Sequence, residues 1–202
     1  MRTLKMYPTS INERFIDTLV DELRDGGLII YPTDTLYAIG CDALNNKAVE
    51  KICALKGINP QKNTLSIICE SLSQAAKYAR IDNNAYAILK QNLPGPFTFI
   101  LPAATTLPKQ FKGRKQVGVR IPDNPIPREL AKALGTPILS TTIISDGDSL
   151  LTADAIALHY HDSDINYAVD GGDASETQTT VVDLTQSNQP IIIREGKGEL
   201  NL

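Results

Sequence analysis

Long apolar runs are missing from this sequence. Those present, such as Leu28 to Tyr31 and Ile191 to Ile193, fall far short of the roughly 20 residues needed to cross a bilayer. Met1 to Asn12 carries Arg2 and Lys5 but no apolar stretch of about 7 to 15 residues, so no secretory signal is read there and a cytoplasmic location is expected. Cysteine is scarce. Cys41, Cys53 and Cys69 lie 12 and 16 residues apart with no CxxC pair, which speaks against zinc or dithiol chemistry and for reduced packing residues. Histidine is scarcer, at two. His159 and His161 with Asp162 and Asp164 imitate a metal cluster, but residues two apart near a helix end do not share a face, and no metal site is assigned. Ser140 and Ser145 lack a histidine base in any arranged motif. Neither GxGxxG after a strand nor GxxxxGK[ST] occurs, and the glycines of Gly113 to Gly118 are spaced too closely for a dinucleotide loop.

An overall basic charge is also lacking. The net charge is -3 and the pI near 5.4, against a usual pI above about 9 for dedicated nucleic-acid-binding domains. The average hides an asymmetry. No Asp or Glu occurs from Asn83 to Pro122, where Lys90, Lys109, Lys112, Arg114, Lys115 and Arg120 give +6. From Asp146 to Glu176 there are acidic residues and no Lys or Arg. Lys109, Lys112, Arg114 and Lys115 lie within seven residues and form a candidate weak patch for tRNA or double-stranded RNA, the alternative being a solvated loop.

What is present is a globular composition: 202 residues, 42% hydrophobic and 21% charged, long enough for one domain over 1-202 with a sizeable core. Ser10 and Glu13 read as a capping box before the apolar face of Ile11, Phe15, Ile16, Leu19, Val20 and Leu23, which Gly26 and Gly27 terminate. Leu28 to Tyr31 reads as a strand, followed by a loop through Pro32, Thr33, Asp34 and Thr35. Helices are predicted at about Asn46 to Lys56, Ser71 to Ala79, Asp82 to Asn92, after Asn124 and Pro125 up to Gly135, and from Thr152 to about Tyr160. Strands are predicted at Thr64 to Cys69, Phe97 to Leu101, Val117 to Ile121, Pro137 to Thr142, Tyr167 to Asp170, Thr179 to Leu184 and Pro190 to Glu195. Alternating strands and helices point to an α/β layered domain.

Two stretches carry chemistry. The hydroxyl-rich loop from Tyr31 to Gly40 sits where α/β sheets bind ligands, though Thr and Asp also form ordinary turns. Arg120 stands in the apolar strand Val117-Gly118-Val119-Arg120-Ile121-Pro122 and needs an anion, either a ligand or an internal Asp or Glu.

Tyr31-Pro32-Thr33-Asp34-Thr35 with Tyr37 and Gly40, Leu55-Lys56-Gly57, Pro94-Gly95-Pro96-Phe97-Thr98, the Arg120 strand, and Thr179-Thr180-Val181-Val182-Asp183 with Arg194-Glu195-Gly196 together resemble the YrdC-like family, in order and spacing from about Gly27 to Gly198. The resemblance implies a twisted mixed α/β sheet with flanking helices around a large concave cavity. It implies the synthesis of L-threonylcarbamoyladenylate from threonine, bicarbonate and ATP with Mg²⁺, a product that feeds N6-threonylcarbamoyladenosine in tRNA. By the same resemblance, Lys56, Thr98, Thr142 and Arg194 face ATP, while Thr33, Arg120 and Thr179 contact threonine. The C-terminal domain of longer members is not expected. The chain departs from the synthases at Ile58, Ile68 and Ile144, where they carry polar groups, and in this it is similar to the YciO-type branch. Those departures imply weakened or altered activity. A non-catalytic nucleotide- or RNA-binding protein of the same fold is the alternative.

Overall fold

The computed structural model describes residues 1–59, 65–104, 115–143 and 150–202. Along the chain these form β1 (Arg2–Lys5), α1 (Glu13–Arg24), β2 (Leu28–Tyr31), β3 (Ala38–Asp42), α2 (Asn46–Leu55), β4 (Ser66–Ile68), α3 (Leu72–Ala75) and α4 (Asn83–Asn92). There follow β5 (Phe97–Pro102), β6 (Gln116–Arg120), α5 (Pro125–Leu134), β7 (Ile138–Thr142), α6 (Ala153–His159), β8 (Ile165–Asp170), β9 (Thr180–Asp183) and β10 (Ile191–Arg194). The strands make one mixed, twisted sheet in the order β1-β8-β2-β3-β7-β4-β6-β5-β9-β10. β1/β8, β2/β8, β4/β6 and β5/β9 run parallel, and the remaining neighbours antiparallel.

The central strands read as continuous apolar runs because helices cover both faces. Successive residues project to opposite sides. Leu28 and Ile30 therefore join one core with Ile39, Val49, Ile52 and Val119, while Ile29 and Tyr31 join the other with Leu19, Leu23, Ile126 and Leu130. The helices α1 and α5 cover that second face. Burying each such side chain contributes about 1.5–3 kcal/mol, so the two cores dominate the fold's stability.

Local chemistry sets most helix ends. Asn124 Oδ1 accepts from Ile126 N at 3.0 Å, Pro125 opens α5, and Gly135 closes it at φ 81°. For α1 the cap differs from the expected box. Asn12 Oδ1 accepts from Arg14 N and Phe15 N, whereas Ser10 N donates to Tyr7 O, because the chain before Asn12 turns back on itself. The helix predicted over Ser71 to Ala79 is a single turn, Leu72–Ala75, and β1 and β3 were not expected as strands. Among the described residues no helix is long and apolar enough to cross a membrane.

Candidate functional site

The antiparallel pairing of β4 with β7 puts Ser66 opposite Ser140, and its parallel pairing with β6 puts Ser66 opposite Gly118. Gly40 lies opposite Ser140 in turn. Small side chains therefore cross four adjacent strands on one face. Close approach requires them: a Cβ on Gly118 would sit 2.4 Å from Ser66 Oγ, and one on Gly40 would sit 2.6 Å from the Tyr31 ring. Here the sheet borders a cavity of about 410 Å³. Thr98, Ile100, Arg120 and Val181 line it from the same face, with Thr141 and Thr142 at the end of β7. Ser140 Oγ accepts from Tyr31 Oη at 2.9 Å, and burial pushes the Tyr31 phenol well above its ordinary value.

A second wall comes from the end of α2. Ile58 N donates to Cys53 O at 2.8 Å and Gly57 N to Ala54 O at 3.2 Å, with Gly57 at φ 62°, a Schellman closure that turns the chain sharply after Lys56. Ile52, Cys53, Lys56 and Ile58 consequently line the cavity together. Half-burial lowers the Lys56 ammonium's pKa from its ordinary 10.5.

The third wall holds Arg194 of β10. Its Nε and Nη2 donate to Thr179 O at 3.2 and 2.9 Å, and Nη2 also reaches Thr179 Oγ1 at 3.1 Å. Thr179 Oγ1 is 3.0 Å from Thr98 Oγ1, so the two hydroxyls and the guanidinium form one chain of contacts. Behind them runs the segment after β10. Gly196 N and Gly198 N both donate to Thr180 Oγ1, and the Gly198 backbone lies against Phe97, whose ring would meet any Cβ there at 2.5 Å.

Arg120 is 4% exposed and still borders the cavity. Its Nη2 donates to Asp34 Oδ1 at 3.1 Å and lies 3.3 and 3.4 Å from Thr35 Oγ1 and Thr33 Oγ1. Of the two partners open to Arg120, the structure contains the internal one. Desolvation pulls its pKa down while Asp34 opposes the change. Its Nε has no acceptor among the described residues. Asp34 is fixed in turn: Oδ2 accepts from Asp123 N at 2.9 Å and its carbonyl from Lys197 Nζ at 2.7 Å.

Of the expected site residues, Lys56, Thr98, Thr142, Arg194, Arg120 and Thr179 meet at this cavity. Thr33 does not line it. It is buried, donates to Leu36 O at 2.7 Å and supports Arg120 from behind. Ile58 is on the wall as expected, but Ile68 is not: it is fully buried in the core under α5, beside Arg120 and Ile138 in the sheet. Position 68 shares the face of Ser66 but lies two residues further along β4, in the cluster with Ile126 and Ile138, so its apolar character serves packing. Ile144, and the candidate RNA residues Lys109, Lys112 and Arg114, lie outside the described residues, while Lys115 is exposed just before β6. Ser66, Ser140 and Gln178 line the cavity without having been assigned. Strand alternation from Arg120 through Gly118 to Ser66 is the signal that finds the first of these. His161 Nδ1 approaches Leu158 O and its Nε2 approaches Asp162, both at the surface; among the described residues no three His, Cys, Asp or Glu side chains could hold a metal. The cysteines are free and buried, and Cys69 is pushed up to about 12 by burial.

Residues 21–196 match the Sua5_yciO_yrdC family model, described as Telomere recombination. The chain is 34% identical over 198 residues to the uncharacterized protein YciO of Escherichia coli K12, covering 96% of this chain and 95% of that one. The crystal structure of E. coli YciO superposes with a TM-score of 0.90 over 98% of this chain and 97% of that chain. A threonylcarbamoyl-AMP synthase of Pseudoalteromonas translucida is 30% identical over 164 residues, 79% of this chain and 87% of the relative. Pyrococcus abyssi Sua5, crystallised with L-threonine, superposes with a TM-score of 0.86 at 30% identity, over 97% of this chain and 58% of that one.

Proposed function

The chain belongs to the Sua5/YciO/YrdC family, and from that premise we propose that it is a nucleotide-dependent transferase of the threonylcarbamoyladenylate synthase type. One observation carries the reading: Lys56, Arg120 and Arg194, from three walls, converge on a single cavity that also presents the Thr98 and Thr179 hydroxyls. That arrangement suits a ligand with a carboxylate at one end and phosphates at the other.

The substrate amino acid places its carboxylate at Arg120 and its polar side chain near Thr179. Its amine condenses with bicarbonate, losing water, to give a carbamate. A carbamate oxygen then attacks the α-phosphorus of ATP; the bond from that phosphorus to the bridging oxygen breaks, and pyrophosphate leaves. The protein contributes position and charge, since this chemistry needs no covalent nucleophile. Lys56 and Arg194 balance the phosphate charge, and Thr98 and Thr142 contact the nucleotide. Among the described residues no carboxylate lines the cavity, so these residues offer Mg²⁺ no anionic ligand; the ion would arrive with the nucleotide, and no step is assigned to it. Ile58 supplies no donor where the synthases carry a cation, and loss of one such donor slows a reaction about 10²–10³-fold. The product would serve N6-threonylcarbamoyladenosine formation in tRNA.

The test is pyrophosphate release with ATP, bicarbonate and each amino acid in turn. Release that requires both bicarbonate and threonine is expected. Binding of ATP with no amino-acid-dependent release would overturn the reading.

A further inference from the structure

The Arg120 guanidinium is not a bare cation. Asp34, with its side chain 7% exposed, stands 3.1 Å from it, so the clamp is an almost fully buried pair with no net charge. A carboxylate bound to Arg120 would be the second anion on one cation. With the guanidinium between them, the two carboxylates would stand roughly 5–6 Å apart, where like charges at an effective dielectric near 20 repel enough to weaken binding about a hundredfold. A cation carried by the ligand itself removes that repulsion. We propose that Asp34 makes the Arg120 clamp selective for carboxylates that carry an ammonium group, rejecting the same acid without it. The inference rests on the reading of Arg120 as the carboxylate site.

Asp34 is built to exert this field without moving. Its Oδ2 is held by Asp123 N at 2.9 Å, and its carbonyl by Lys197 Nζ at 2.7 Å, so the carboxylate cannot swing away when a second anion arrives. Arg120 is held on the same side by the Thr33 and Thr35 hydroxyls, at 3.4 and 3.3 Å. These oxygens all crowd Nη2, while the buried Nε has no acceptor among the described residues. Asp34 therefore acts through Arg120, as a positioning and selectivity residue.

Calorimetric titration compares L-threonine with 3-hydroxybutyrate, the same acid lacking the amine. In the wild type, threonine should bind at least about tenfold more tightly, a discounted form of the repulsion above. Asp34→Asn removes the charge and keeps an oxygen for Arg120; it should bring the ratio close to one, mainly by tightening 3-hydroxybutyrate. Arg120→Lys, which keeps the charge and loses the planar fork, should weaken both ligands. A wild-type ratio near one overturns the proposal on unaltered protein, whatever the variants do. An unchanged ratio in folded Asp34→Asn also overturns it. If Arg120→Lys leaves threonine binding intact, or threonine does not bind at all, the functional reading of Arg120 fails and takes the proposal with it.

Discussion

Arg120→Ala should cost the protein about 3 kcal/mol, the low end of the 3–5 kcal/mol range for breaking a buried pair by removing one partner. Arg120 is 4% exposed and the Asp34 side chain 7%, so solvent screens neither charge well. The low end applies because the cavity lets water approach and because Asp34 keeps its bond from Asp123 N. For a chain of this size, 3 kcal/mol corresponds to a fall in melting temperature of about 6–12 °C. Urea unfolding of the wild type, Arg120→Ala, Asp34→Ala and the double variant gives the coupling directly. The Arg120→Met, Asp34→Leu pair, with apolar groups of similar volume, should recover most of the loss. A single variant within 1 kcal/mol of the wild type, or a coupling near zero, would refute the claim that these charges depend on each other.

Ile58→Arg places a second cation at the wall beyond Lys56; the KM for ATP should fall about fivefold, and less at high salt, and an unchanged KM would mean that a cation at position 58 does not reach the phosphates. Gly118→Ala drives a methyl into Ser66 Oγ and should destabilise by about 1–3 kcal/mol in denaturant titration, with Ser66→Gly relieving most of it. Burial depresses the Lys56 pKa below 10.5, so the ammonium is lost earlier than usual as pH rises. ATP affinity should accordingly decline on raising pH toward 10.5, and Lys56→Gln should flatten that profile; parallel profiles would exclude a Lys56–phosphate contact.

Features written in adjacent residues were legible in the sequence. The ends of α5 follow from Asn124, Pro125 and Gly135, whose caps need no distant partner. β1 was not legible, because Arg2 to Lys5 has no apolar run and becomes a strand only by pairing with β8, which is formed late in the sequence. β3 was read as loop because Gly40 interrupts its apolar pattern; that glycine is there to admit the Tyr31 ring. At the site, the residues of Arg120's strand and of the Thr33 loop could be singled out separately. Their union through Asp34 spans 86 positions and emerges only from the topology. Ile68 shows the reverse case: motif matching places it in the cavity and it shares the face of Ser66 and Arg120, yet the packing of Ile126 and Ile138 in the core takes it up.

The backbone after β10 gives the order of synthesis a role. Lys197 fastens the Asp34 carbonyl, and Gly196 and Gly198 fasten Thr180, so the loop after β2 acquires its last tether from a segment made more than 150 residues later. A ribosome-bound chain that ends before Arg194 can build much of the sheet and both helical layers. It still lacks one wall of the cavity and the clasp on Asp34. The pocket thus closes only once residues 194 to 198 have been made, and until then a half-made chain has no complete place for a ligand.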